Sequence, residues 1–209
     1  LHSNSGDFRR RREIVMNINI GLPDILLTSP MIALFLFSLL PITIKVLRGN
    51  KEQLPLATLI DVLIGLIVTA GLIIVFGHQT GAAAPTAFNG QLLFDGLTTW
   101  ASLIAVLIGG SAIVLMYENP STRGEQFSEL VFLTLNSLLG ALILIASVNL
   151  ITVFIGLELM SLSLYLMIAM SNEQKVSKEA AIKYFVLGSL ASAIFLYGVS
   201  FIYGSTGSV

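Results

Sequence analysis

The sequence predicts an all-α integral membrane protein of about six transmembrane helices, and three observations carry that expectation. Of its 209 residues, 55% are hydrophobic and only 11% charged, less than half the charge of an average soluble domain. The mean hydropathy is +0.89, which suits a chain that turns apolar side chains toward lipid. Apolar runs of the length needed to cross hydrocarbon recur along the whole sequence.

Those runs fall at about 25–47, 54–77, 97–117, 127–147, 149–170 and 178–203. At helical rise each covers roughly 30 Å, the thickness of the apolar slab. Pro30 and Pro41 lie within the first run, and Pro55 opens the second, where its missing N–H is tolerated. Residues 78–96 are the longest internal connection, broken by Gly, Pro and Asn. The chain thus divides into a polar, Arg-rich segment, 1–24, and a six-helix transmembrane domain, 25–209. No soluble domain fits between the spans.

Composition narrows the chemistry. There is no Cys, which removes disulfides, thiol nucleophiles and Cys-ligated metal or iron–sulfur groups. The two His do not form a ligand-like pair, so no metal site is expected. A net charge of −1 gives no nucleic-acid footprint, so lipid and other membrane proteins are the expected partners. What remains is a handful of carboxylates and amines.

An ionisable group inside the bilayer costs at least ~2.5–3.5 kcal/mol, so each one needs a reason. Glu158, Lys183 and Asp61 stand out. Glu158 falls near mid-depth of the fifth span, and Lys183 one and a half turns inside the sixth, approached from the opposite face. A short polar link, 171–177, makes those two spans antiparallel neighbours, with an expected offset of roughly 9 Å between the two groups. The plainer reading is a charge pair that fixes packing, with Lys183 also able to snorkel to the headgroups. The functional reading is a proton relay, since desolvation and mutual charge move both protonation equilibria. Asp61 is shallower and stands between a capped polar contact and a role. Asp95 and Glu129 sit at span starts, where carboxylates suit the helix dipole, and Lys45 reads as a snorkelling anchor. Gly188, Ser189, Ala191, Ser192 and Ala193 make a small-residue face on the sixth span, expected to meet another helix.

The residues around these charges carry a resemblance. GLELMSLSLYLMIAM, a polar turn, then SKEAAIKYFVLGSLASAIFLYG resembles subunit 2 (subunit N) of proton-pumping NADH:ubiquinone oxidoreductase, respiratory complex I, specifically over residues 145–208. Upstream the likeness is looser, resting on Phe94, Asp95, Gly96 and residues 137–140. The resemblance implies the N-terminal part of an antiporter-like subunit, with Glu158 as the proton-channel glutamate and Lys183 on the same hydrophilic path. It implies an enzyme only as part of a complex. NADH, FMN, iron–sulfur clusters and quinone are bound elsewhere, with no redox chemistry and no cofactor in this chain. It implies other membrane-arm subunits as partners, and a second polypeptide or a longer chain for the family's remaining helices, packed on the sixth span. The mitochondrial inner membrane is the favoured location and the bacterial plasma membrane the other. The rival readings are a subunit of a multisubunit sodium/proton antiporter and a purely structural packing subunit.

The loops after the first, third and fifth spans carry Lys45, Arg48, Lys51, Arg123, Lys175 and Lys178, and the others carry no Lys or Arg. By the positive-inside rule these three loops face the cytoplasm or matrix and the N-terminus lies outside; the four arginines at 9–12 run against this. Cysteines introduced in residues 171–177 are therefore expected to react with an impermeant reagent from the inner side only. Labelling from the outer side would reverse the orientation.

Overall fold

The computed structural model describes residues 21–47, 55–77, 84–119, 126–170 and 175–208. The Arg run at 9–12, Arg48, Lys51 and Arg123 lie outside the described residues. Six helices long and apolar enough to cross a membrane are present among them: α1 (Leu22–Leu47), α2 (Pro55–Gly77), α3 (Gly96–Glu118), α4 (Phe127–Ala146), α5 (Leu150–Met170) and α6 (Lys175–Thr206). The first helix begins three residues earlier than the apolar run, and the sixth extends three residues further at each end.

Hydrocarbon offers no hydrogen bonds, so the chain closes its backbone groups within helices. Pro30 tests that rule, because it cannot donate to the Leu26 carbonyl four residues back. The Ser29 hydroxyl donates to that carbonyl instead, at 2.7 Å. Thr28, Thr43, Thr69, Thr134 and Ser163 likewise return their hydroxyls to carbonyls four residues earlier. These five side chains thereby enter the membrane without a bare hydroxyl.

Successive helices are antiparallel, as their paired contacts show. Gly65 of α2 meets Phe37 of α1, Thr99 of α3 donates to the Gly77 carbonyl of α2 at 3.3 Å, and Gly109 of α3 meets Leu138 of α4. The tightest approach is between α4 and α5. A Cβ on Gly140 would lie 2.7 Å from the Gly156 carbonyl oxygen, and one on Gly156 would lie 2.9 Å from the Gly140 carbonyl oxygen. The two backbones touch because neither residue has a side chain. α4 is the hub of the bundle, packed by α1, α3 and α5, and its Phe127, Val131, Leu135 and Leu142 are fully enclosed. α6 packs on α5 alone, with only Ala181 and Val199 buried.

The long connection expected at 78–96 contains a hairpin, β1 (Thr86–Ala87) paired antiparallel with β2 (Leu92–Leu93). Its turn places Phe88, Asn89 and Gly90 at φ 53, 57 and 85. Asn and Gly adopt that left-handed region readily and Phe does not. Asp24, in the first turn of α1, holds Phe88 there by accepting its N–H at 2.8 Å. The hairpin also bonds to the α4–α5 link through Val148 N–H and the Gln91 carbonyl, at 3.0 Å. Asp95 then caps α3, accepting the Thr98 N–H at 2.7 Å, as its position at the span start suggests. That backbone hydrogen bond holds the Asp95 carboxyl below the usual carboxylate range.

The Gly140–Gly156 contact generates a direct expectation. Gly140→Leu or Gly156→Leu should separate α4 from α5 and destabilise the protein by about 1–3 kcal/mol, as overpacking does. Gly71→Leu, at a position with open space around it, should be near neutral. Thermal unfolding in detergent compares the three; equal melting points would show that the two helices do not need the contact.

Candidate functional site

Glu158 lies eight residues into α5 and twelve from its end, about 12 Å and 18 Å at helical rise. It is half-buried. Its position follows from the glycine contact, because Gly156 fixes the adjoining turn of α5 against α4 while Glu158 turns toward α6. There the Ser192 hydroxyl donates to Glu158 Oε1. Phe154 stacks on Phe195 on one side of this contact, at 6.1 Å between ring centres. On the other side Tyr165 covers Gly188 and meets Phe185 edge-on. Aromatic rings thus flank the carboxylate along the α5–α6 seam.

Lys183 is elsewhere. The Tyr165–Phe185 and Glu158–Ser192 contacts fix the α5–α6 register. Lys183 therefore stands nine residues from Ser192 along α6, or about 13–14 Å from the level of Glu158. That is wider than the roughly 9 Å expected. Lys183 is exposed and pairs with Glu179 of its own helix at 2.6 Å, with 70% and 65% of the two side chains accessible. The structure brings Glu158 together with Ser192 and does not bring it to Lys183. The small-residue face is divided as well: Gly188 and Ser192 face α5, while Ser189, Ala191 and Ala193 face outward.

Two other expectations change. Lys45 and Glu129 are not a separate anchor and dipole partner, since Lys45 Nζ is ion-paired with Glu129 Oε1 between α1 and α4. Two turns deeper the same helices meet again, where Asn136 Nδ2 donates to the buried Ser38 Oγ at 3.5 Å. Sequence reasoning read Ser192 only as part of the small-residue face and passed over Ser38 and Asn136. The seven-residue spacing from Lys45 back to Ser38, matched by Glu129 to Asn136, was the available signal. Asp61, in α2, has its Oδ2 buried with no hydrogen-bond partner among the described residues. Among the described residues no three His, Cys, Asp or Glu side chains cluster as a metal site requires.

The described residues form a six-helix antiparallel membrane bundle with a carboxylate at mid-depth, and known proteins show what this arrangement is similar to. Residues 147–209, which hold Glu158 and Lys183, match the family of NADH:quinone oxidoreductase/Mrp antiporter transmembrane proteins. Over 92% of its length the chain is 64% identical to NADH-quinone oxidoreductase subunit N of Bdellovibrio bacteriovorus, and covers 39% of that protein. It is 35% identical over 88% of its length to subunit N of Granulibacter bethesdensis, covering 37% of it. A chain of respiratory complex I from Thermus thermophilus, solved with bound aureothin, superposes with a TM-score of 0.67 at 28% identity, covering 86% of this chain and 37% of that one. The resemblance to subunit N is thus borne out, and the chain spans about two-fifths of the length of these relatives. It is integral to a membrane; the relatives are bacterial, so the preference for a mitochondrial membrane finds no support.

Ser192→Ala should remove the side-chain donor that Glu158 has among the described residues, and Ser192→Thr should keep it. Thermal stability in detergent should fall with Ala and recover with Thr. Equal melting points would show that the hydroxyl only fills space.

Proposed function

We propose that this chain is a segment of a subunit N in the membrane arm of a proton-pumping NADH:quinone oxidoreductase, in which Glu158 loads and unloads the translocated proton. The observation that carries the reading is the half-buried Glu158 at mid-depth, in the stretch that matches the family, hydrogen-bonded by Ser192. A carboxylate there is expensive as a fixed charge and useful as a titrating one. A hydroxyl is the fitting partner, since it donates to the carboxylate and can rotate to accept from the acid. Both protonation states are then served by one contact.

Lys183, about two and a half turns toward the basic loops, carries the proton further in concert with groups from helices that cover the outward face of α6. That face presents Tyr184, Leu187, Leu190, Ile194 and Tyr197, and the remaining three-fifths of the relatives' length, on this or a second polypeptide, supplies its cover. Electron transfer and the NADH, FMN, iron–sulfur and quinone sites belong to other subunits. The membrane is a bacterial plasma membrane. The alternative within the family is an antiporter subunit exchanging protons for sodium without electron transfer; the subunit N relatives favour the oxidoreductase.

Glu158→Gln keeps size and hydrogen bonding and removes titration, while Glu158→Asp keeps titration on a shorter arm. With assembly confirmed on native gels, Gln should abolish most proton uptake in proteoliposomes and lower coupled NADH:quinone activity. Asp should retain much of both, and Lys183→Met should be milder. Full pumping by an assembled Glu158→Gln complex would leave only the packing role. Sodium-driven uptake in a complex without redox subunits would select the antiporter.

A further inference from the structure

The α1, α2 and α4 ends beneath the basic loops hold more charge than packing explains. Lys45 lies two residues from the end of α1 and Glu129 two residues from the start of α4, and their side chains are 15% and 32% accessible. The second oxygen of Glu129, Oε2, is buried with no hydrogen-bond partner among the described residues. Asp61 repeats the pattern on α2 with its buried, unpartnered Oδ2. The Gly65–Phe37 contact sets the α1–α2 register, and counting back four residues on α2 places Asp61 level with Pro41. That level lies about 6 Å below Lys45 and about 4.5 Å above Ser38. Three polar layers therefore descend along α1, from Lys45 and Glu129 through the level of Asp61 to Ser38 and its donor Asn136.

We propose that Lys45, Glu129 and Asp61 form a proton-exchange site distinct from Glu158, which takes one proton from water at the basic-loop end. Charge counting supports it: two carboxylates and one ammonium leave one negative charge, and a single proton neutralises the group. A buried oxygen without a donor is costly in low dielectric, and protonation removes the charge that makes it so. The proton forms an O–H bond on Glu129 or Asp61. It leaves toward water when that bond breaks. Among the described residues of α1–α4, the other titratable groups at this end are Tyr117, packed edge-on against Phe127, and the exposed Glu118, both closing α3. This inference rests on the proton-carrying reading above.

The test uses the assembled complex in proteoliposomes. Glu129→Gln and Asp61→Asn should each lower proton uptake severalfold, and Glu129→Asp should restore it with a shifted pH profile. The double variant Lys45→Met with Glu129→Leu should assemble yet pump no better than Glu129→Gln, because it restores packing without a titrating group. Wild-type pumping by Glu129→Gln and Asp61→Asn, or by the apolar double variant, would overturn the site and leave an interhelical clasp. If Glu129→Gln does not assemble, an unchanged pH profile in Glu129→Asp overturns it equally. Glu158→Gln, run alongside, separates the two ideas: loss there with normal pumping in the Glu129 and Asp61 variants sinks only this site.

Discussion

A polar group that enters hydrocarbon is costly without a partner, and the placement of most polar side chains described in this protein answers to that constraint. The backbone meets it by staying helical, and Ser29 repairs the one carbonyl that Pro30 leaves open. Side-chain hydroxyls meet it by bonding to the preceding turn. Charged side chains cannot meet it alone, and three are drawn to seams between helices: Lys45 and Glu129 to α1–α4, Glu158 to α5–α6.

Those seams exist because α4 sits at the centre. Its glycine at 140 lets α5 approach to backbone contact at Gly156, and that contact sets the depth and rotation of Glu158 two residues on. On the opposite flank, α4 meets α1 at two polar levels seven residues apart. One helix thus determines both the depth of the candidate relay and the geometry of the charged layer near the basic loops. Lipid provides little hydrophobic drive between helices, which leaves close packing and polar contacts to specify their register.

The far end is organised differently. Asp24, Phe88 and the hairpin at Thr86–Leu93 tie the start of α1 to the α4–α5 link. A carboxylate in the first turn of a helix is favourable to the dipole anyway, and here it also holds a bulky residue in a left-handed conformation. The end that carries Lys45, Glu129 and Asp61 thus lies across the bundle from the end that the hairpin fastens.

The sequence by itself determined the helices. Twenty-residue apolar runs have one stable form in a bilayer, so number, order and approximate limits of α1–α6 were legible before any contact was known. The Glu-Leu-Met-Ser-Leu and Ala-Ile-Lys-Tyr-Phe elements made the likeness to subunit N legible too, and Asp95 could be placed at a helix start where its charge suits the dipole. Only the tertiary structure decided partners. Lys45 looked like a surface anchor because a lysine near a helix end can reach the headgroups, and the sequence does not say that Glu129, 84 residues away, lies beside it. Glu158 and Lys183 looked like a pair because their helices are neighbours. The register that separates them and substitutes Ser192 is set by side-chain packing along the α5–α6 seam. Hydropathy is a property of segments and fixes depth to within a turn or two. Which polar atoms meet depends on helix rotation and register, and these are settled only when all six helices pack at once.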